Sequence, residues 1–197
     1  MINPFIILTG KTASGKDTVM AKLLSRPPNL KRVVTTTSRT PRHGEQNGRD
    51  YNFISGALFQ EKIKNGDSIE YVSYGGNLYG TEKSQLTSNI DSGLIWRIDP
   101  SRAGQIREFI KDSFEKNITR DLLKKIIVIY LTVDDEVVLK RLQGRGLSQQ
   151  EIEKRMKQDT RFWQEYKNNY DFVVENIPGQ LDQTVDKIVN LIENRFS

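Results

Sequence analysis

Apolar residues along this chain fall into short unbroken runs, separated by stretches where they recur every three or four positions. The run Phe5-Ile-Ile-Leu-Thr-Gly10 reads as a buried strand, and Val19, Met20, Leu23 and Leu24 give one face of a helix over about 16–25. Pro27-Pro28 should end that helix, and the β-branched run Arg32-Val-Val-Thr-Thr-Thr37 predicts a strand. Leu58, Phe59, Lys62 and Ile63 have helical spacing. Segments 68–74 and 77–81 flank Gly75-Gly76 as a two-stranded hairpin. A helix is expected from Thr81, acting as a cap, to Ile90. Then come a strand over 93–99, a helix over 101–114 and the fully apolar strand 125–131. Asp134 opens a helix with acids in its first turn, 151–166 is a long charged helix, 170–176 a last strand and 181–196 a closing amphipathic helix. Strand alternates with helix and nothing repeats. The expected class is α/β, a central parallel sheet with helices on both faces.

The break after the first strand carries the chemistry. Gly10, four residues, then Gly15-Lys16 frame a phosphate-binding loop, Gly10-Lys11-Thr12-Ala13-Ser14-Gly15. In such a loop successive backbone N–H groups surround a phosphate chain and the lysine reaches its terminal phosphates. The helix behind it points its positive end at the same anion. The residue after the lysine is normally Ser or Thr, whose hydroxyl ligates Mg2+. Here it is Asp17, with Thr18 next. Either Asp17 holds the metal, directly or through water, or Thr18 has taken over the hydroxyl role. Further on, Arg39 and Arg42 stand three apart across a proline. They either converge on one anion or belong to a solvated loop. His43, in the same loop, reads as a solvated turn residue rather than a base.

The 197 residues suit one domain with a sizeable core. Hydrophobic residues make 36% and charged residues 28%, a globular balance. With no cysteine there is neither a disulfide framework nor a thiolate metal site. The start, Met1-Ile-Asn-Pro-Phe5, lacks the basic and apolar regions of a signal peptide. No run approaches the roughly 20 apolar residues of a membrane span. A cytoplasmic protein without a membrane partner is expected. A net charge of +5 favours anionic partners. Its basic residues are scattered through helices rather than interleaved with aromatics, so nucleotides are expected and nucleic acid is not. No oligomeric state is specified.

Four blocks then resemble the guanylate kinase family, in its order and spacing. They are the phosphate loop; Thr35-Thr-Thr-Ser-Arg39-Thr-Pro-Arg42 with Gly44-Glu45 and Asp50-Tyr51; Glu70 followed by Gly76-Asn77-Leu-Tyr79-Gly80-Thr81; and Arg141-Leu-Gln-Gly-Arg145-Gly with Arg155 beyond. The ending 170–176 resembles the family's last strand, with Asn176 on the adenine side. The resemblance implies a P-loop NTPase fold with a core of residues 1–34, 83–142 and 157–197. To this it adds a small mixed or antiparallel insertion over about 35–82 that binds GMP, and a helical lid over about 143–156. It implies transfer of the ATP γ-phosphate to GMP or dGMP with Mg2+. Residues 10–18 and Asn176 would bind ATP, and Asp17 and Thr18 the metal. Arg39, Arg42, Tyr51 and Tyr79 match positions for the acceptor phosphate, Glu45 and Asp99 stand beside them, and Glu70, Thr35 and Thr81 match the base contacts. Lys16, Arg141, Arg145 and Arg155 would stabilise charge on the transferred group.

Two departures qualify this. The family carries an acid where Arg97 stands, and a Gln-Gly pair where this chain reads Pro100-Ser101-Arg102-Ala103. Asp17 is then expected to compensate for the acid lost at Arg97. Two other readings keep the fold: a kinase of another nucleotide or phosphorylated metabolite, and a non-catalytic binding module of the kind that has lost its phosphate loop.

Overall fold

The computed structural model describes residues 3–26, 29–74 and 76–196. The expected helix stop at Pro27-Pro28 and the first hairpin glycine, Gly75, lie outside them. In chain order the elements are β1 (Phe5–Gly10), α1 (Lys16–Leu24), β2 (Leu30–Arg32), β3 (Thr36–Thr37), β4 (Asn52–Phe53), α2 (Gly56–Lys64), β5 (Ser68–Tyr74) and β6 (Asn77–Glu82). They continue with α3 (Lys83–Thr87), β7 (Gly93–Arg97), α4 (Pro100–Ser113), α5 (Lys116–Lys125), β8 (Ile126–Thr132), α6 (Asp135–Gln143), α7 (Gln149–Tyr166), β9 (Phe172–Glu175) and α8 (Leu181–Phe196).

Five strands form a parallel sheet in the order β2-β7-β1-β8-β9, with Leu8 opposite Arg97 and Gly10 opposite Leu131. Both faces of β1 and β8 are buried, which is why their sequence is continuously apolar. Alternate side chains feed two cores. Phe5, Ile7, Trp96, Val128 and Tyr130 pack with Ala103, Ile106 and Ile110 of α4 and Leu122 of α5. Ile6, Leu8, Ile127 and Ile129 pack with Val19 and Leu23 of α1 and Val185 and Ile188 of α8. A smaller cluster of Val133, Val138, Leu142 and Ile152 joins α6 to α7. The contact of α7 with α4 is close. A methyl group on Gly104 would lie 2.5 Å from the Tyr166 ring, whose hydroxyl accepts from the Gln105 amide at 3.1 Å.

The second sheet, β4-β3-β6-β5, is mixed: β3 runs parallel to β4 and antiparallel to β6, which pairs antiparallel with β5. The insertion therefore has the mixed character expected of it.

Three expectations need correcting. The run 32–37 is two strands in different sheets. The Val34 N–H is taken by the Gln85 side chain and the Val34 carbonyl by the Asn52 amide, so neither is free to extend a ladder. Thr81 is not a helix cap: it pairs with Glu70 inside β6, and the short helix starts at Lys83. Asp99 is not strand but the N-cap of α4, its Oδ1 accepting from Ser101 and Arg102 N–H at 3.1 and 3.2 Å. Helix α5 is an addition, since Ile118, Leu122 and Leu123 are too few among charges to signal it.

Candidate active site

The turn from β1 into α1 is held from outside. Gly10 has φ +143°, and a Cβ there would stand 2.1 Å from the Leu131 carbonyl oxygen. Gly15 has φ +88°, and a Cβ there would meet the Asn176 amide at 2.5 Å. Arg141 donates to the Ala13 carbonyl at 2.7 Å and Asn176 Nδ2 to the Ser14 carbonyl at 2.7 Å, while Thr184 donates to Asn176 Oδ1 at 3.2 Å. The Ala13 and Ser14 carbonyls are thus tied outward, while the Lys11 N–H donates to the Leu131 carbonyl at 2.9 Å and the Ser14 N–H to the Lys11 carbonyl at 3.2 Å.

Lys16 folds back over the loop, its Nζ donating to the Gly10 and Lys11 carbonyls at 2.9 and 2.6 Å. Burial, aided by the nearby Arg97 cation, lowers its pKa to about 8, against the pull of Asp159 and Asp17. Lys11 turns away, paired with Asp135 and donating to the Val133 carbonyl at 3.1 Å. Its backbone is engaged as well, the N–H donating to the Leu131 carbonyl and the carbonyl accepting from Lys16 Nζ and from the Ser14 N–H. Asp159, from α7, accepts the Thr12 N–H at 2.8 Å, a carboxylate on an amide of the phosphate loop. Its pKa is raised by burial, opposed by that N–H and by Lys16 and Lys11.

Two clefts flank the loop. The larger, about 440 Å³, takes Lys16 and Thr12 from the loop, Thr35, Tyr51, Glu70 and Tyr79 from the insertion, Arg97, Asp99 and Arg102 from the sheet edge, and Arg155, Gln158 and Asp159 from α7. The smaller, about 290 Å³, is lined by Gly15, Thr18, Arg141, Arg145 and Asn176 with Pro178. The expected residues are thus divided between two chambers that share one phosphate loop. Asp17 and Thr18 do not converge. Asp17 is exposed, with Oδ1 2.9 Å from Arg97 Nε, while Thr18 lines the smaller cleft. Among the described residues no three His, Cys, Asp or Glu side chains gather around a metal position.

Beside Tyr51 of the larger cleft, Arg39 is preset. Its guanidinium lies 5.5 Å from the Tyr51 ring centre and donates to Glu45 Oε1 at 2.9 Å. Glu45 Oε2 accepts the Arg42 N–H at 2.7 Å, and that N–H, more than Arg39, holds its carboxyl below the usual range. Glu45 therefore acts as a brace for Arg39. Arg42 is exposed where Arg39 is half-buried, and neither arginine lines the larger cleft. His43 is exposed, as a turn residue should be.

Glu70 is only 8% exposed. Its Oε2 stands 2.5 Å from Arg102 Nε, and Arg102 Nη1 donates to Asp99 Oδ2 at 2.5 Å. Burial pushes the Glu70 pKa above the usual carboxylate range and the Arg102 cation opposes it. The buried Thr81 hydroxyl beside it also favours the charged form, although it makes no hydrogen bond of good geometry.

Sequence reading missed Asp159, Gln158 and the role of Arg102. Arg102 left a trace as a departure from the family pattern. Asp159 left none, being one more acid on a charged helix.

A family model described as Guanylate kinase matches residues 3–195 of this chain. The chain is 33% identical to a guanylate kinase of Fusobacterium nucleatum subsp. nucleatum over 192 residues, covering 95% of each protein. It is 32% identical to one from Wolbachia sp. subsp. Brugia malayi, covering 95% of this chain and 91% of that protein. The crystal structure of guanylate kinase from Anaplasma phagocytophilum superposes with a TM-score of 0.64 at 25% identity, covering 98% of this chain and 86% of that one. A shikimate kinase from Bacteroides thetaiotaomicron, 13% identical with a TM-score of 0.54 over 96% of this chain and 98% of its own, shares the fold.

Proposed function

The chain belongs to the guanylate kinase family and is an ATP:GMP phosphotransferase, and we propose how its own side chains divide that work. ATP lies with its base in the smaller cleft, near Asn176 and Pro178, and its phosphates over residues 10–15 and Lys16. GMP or dGMP occupies the larger cleft, with its phosphate toward Arg39, Tyr51 and Tyr79 and its base at Glu70.

One observation carries this assignment. A buried carboxylate, Glu70, shares the larger cleft with the phosphate-loop lysine and with the tyrosines that brace Arg39. An ionised carboxylate accepts from both guanine N1–H and the exocyclic amine. Adenine offers an acceptor in place of N1–H and would leave the Glu70 oxygen that faces it without a donor. Phosphoryl transfer then needs positioning and charge rather than a base. Lys16 and Arg155 face the shared space from the acceptor side, and Arg141 and Arg145 from the donor side. Together they neutralise charge that spreads over the transferred group.

Asp17 suits a cation held mainly by phosphate oxygens and waters, the usual manner of Mg2+. One of its oxygens is engaged by Arg97, and its side chain is 75% exposed at the loop. Mg2+ would supply charge neutralisation between the β- and γ-phosphates. No helix among the described residues is long and apolar enough to cross a membrane.

The test is ADP release with ATP and Mg2+ against GMP, dGMP, AMP, dAMP, CMP, UMP and dTMP. Turnover confined to the guanine nucleotides is expected. Turnover on another acceptor, or ATP binding without turnover on any, would overturn the assignment.

A further inference from the structure

The base pocket contains a cation that the reaction itself does not require. Arg102 lies one turn into α4 and reaches across to β5. Its three nitrogens are all committed: Nε to Glu70 Oε2 at 2.5 Å, Nη1 to Asp99 Oδ2 at 2.5 Å, and Nη2 to the Tyr71 carbonyl at 3.3 Å. Asp99 is itself fixed as the cap of α4, so the guanidinium hangs from a rigid support. We propose that Arg102 is a specificity-determining positioning residue, which holds Glu70 as an oriented carboxylate and thereby sets the preference for guanine over adenine. The proposal rests on the base-reading role given to Glu70 above.

The argument turns on what a buried carboxyl does alone. Removed from water, Glu70 gains by taking up a proton, because burial penalises the charged form. A protonated Glu70 is a different reader. It donates where the carboxylate accepts, so it loses the guanine N1–H and gains adenine N1 as a partner. One guanidinium at contact distance opposes this. An ionised carboxylate has about four acceptor positions. With Arg102 on one, enough remain for the two donors of guanine, so Arg102 and the base need not compete.

Other charges act on the same group. Asp99, beside Arg102 on α4, is an anion and works against ionisation. Tyr79 of β6 shares the cleft, as do Lys16, Arg97, Arg155 and Asp159 on its far side. Among these the guanidinium in contact with the carboxylate is the one whose removal changes Glu70 most.

The sign follows. Removing the Arg102 charge moves the Glu70 pKa upward, so guanine reading is lost as pH falls and returns as pH rises. Adenine reading moves the opposite way. The acceptor phosphate also titrates in this range, but it is common to both substrates and cancels in their ratio.

The experiment compares wild type, Arg102→Met, Arg102→Lys and Glu70→Gln, measuring kcat/KM for GMP and AMP from pH 5.5 to 9. Arg102→Met keeps most of the packed stem. It should lower the GMP-to-AMP ratio at pH 6 and recover most of it by pH 9, with Arg102→Lys close to wild type. A ratio that stays at the wild-type value and profile in Arg102→Met overturns the proposal. So does a lower KM for GMP at every pH, which would make Arg102 a competitor of the base. Glu70→Gln separates the two levels: if it leaves the ratio unchanged, the base-reading role of Glu70 fails with the proposal. If it collapses the ratio while Arg102→Met does not, only the role of Arg102 fails. Melting temperatures of all four proteins identify any variant that has lost its fold, for which the Arg102→Lys profile then decides.

Discussion

At the scale of single residues, the site is governed by what burial does to charge. Lys16 is the clearest instance. With a pKa lowered to about 8 it is largely cationic at pH 7 but half neutral at pH 8 in the ligand-free protein. A bound phosphate favours the charged form, so nucleotide binding above pH 8 must be accompanied by proton uptake. The contribution of Lys16 to ATP affinity should therefore be nearly constant below pH 7.5. Above 8 it should fall by up to tenfold per pH unit. Titration calorimetry of ATP at pH 7, 8 and 9, in buffers of different ionisation enthalpy, reads both affinity and proton uptake. Constant affinity with no uptake at pH 9 would show that the lysine remains charged in the free site. Lys16→Met should give weak binding without this pH dependence.

Residue identity was also most deceptive at this scale. Lys16, Glu70, Tyr51 and Tyr79 line the larger cleft, and Arg141 and Arg145 the smaller. Of these, Lys16 was legible from the glycine spacing and the other five from the family resemblance. Asp159 was not, because helical spacing says which residues share a face and nothing about which loop that face will meet. Its contact with the Thr12 N–H depends on α7 packing against α4 through Tyr166 and Gly104, and Gly104 is far from both residues in sequence.

Between elements, the junction of α1 with β7 decides how the metal side is built. The family's acid on β7 is Arg97 here, and the hydroxyl residue that opens α1 is Asp17. The two face each other, with Arg97 Nε and Asp17 Oδ1 2.9 Å apart. The acid has in effect moved across the gap, and a cation stands in its former place. Arg97 Nε is buried and has no hydrogen bond of good geometry, so the pair is held by charge more than by fit. Asp17→Ala should lose most turnover, and Asp17→Ser should not restore it fully, because Arg97 would remain without its counter-charge. Since Asp17 is mostly exposed, the stability change should be below about 1 kcal/mol. Steady-state rates paired with urea unfolding make the check. Wild-type turnover in Asp17→Ala would refute the compensating role, and a large stability loss would reassign it to folding. The strand–helix junctions also explain the misread elements. A β-branched run signals extended backbone, but whether it stays in one sheet depends on partners such as Gln85 and Asn52, which lie 51 and 18 residues from Val34.

For the whole molecule, the consequence is a rigid half and an added half. The parallel sheet is packed on both faces by two cores, whereas the second sheet carries fewer buried apolar side chains. Local stability follows burial. Binding GMP with ADP should therefore slow amide hydrogen exchange in residues 36–82 and along α7, which face each other across the larger cleft. β1 and β8 should change little. Exchange measured with and without both ligands tests this. Protection confined to residues 10–25, with none in 36–82, would place the acceptor elsewhere.

What the sequence by itself determined is what depends on local pattern. Apolar runs and helical periodicity specify the alternating α/β order, and the glycine spacing with its flanking strand and helix specifies the phosphate loop. The four blocks bring the acceptor residues with them. The tertiary structure alone decided which charges meet. Glu70 with Arg102, Asp17 with Arg97 and Thr12 with Asp159 join elements 32, 80 and 147 residues apart by difference of their numbers. Such pairs follow from the packing of whole elements, and a Coulomb interaction depends on final distance and burial rather than on sequence separation.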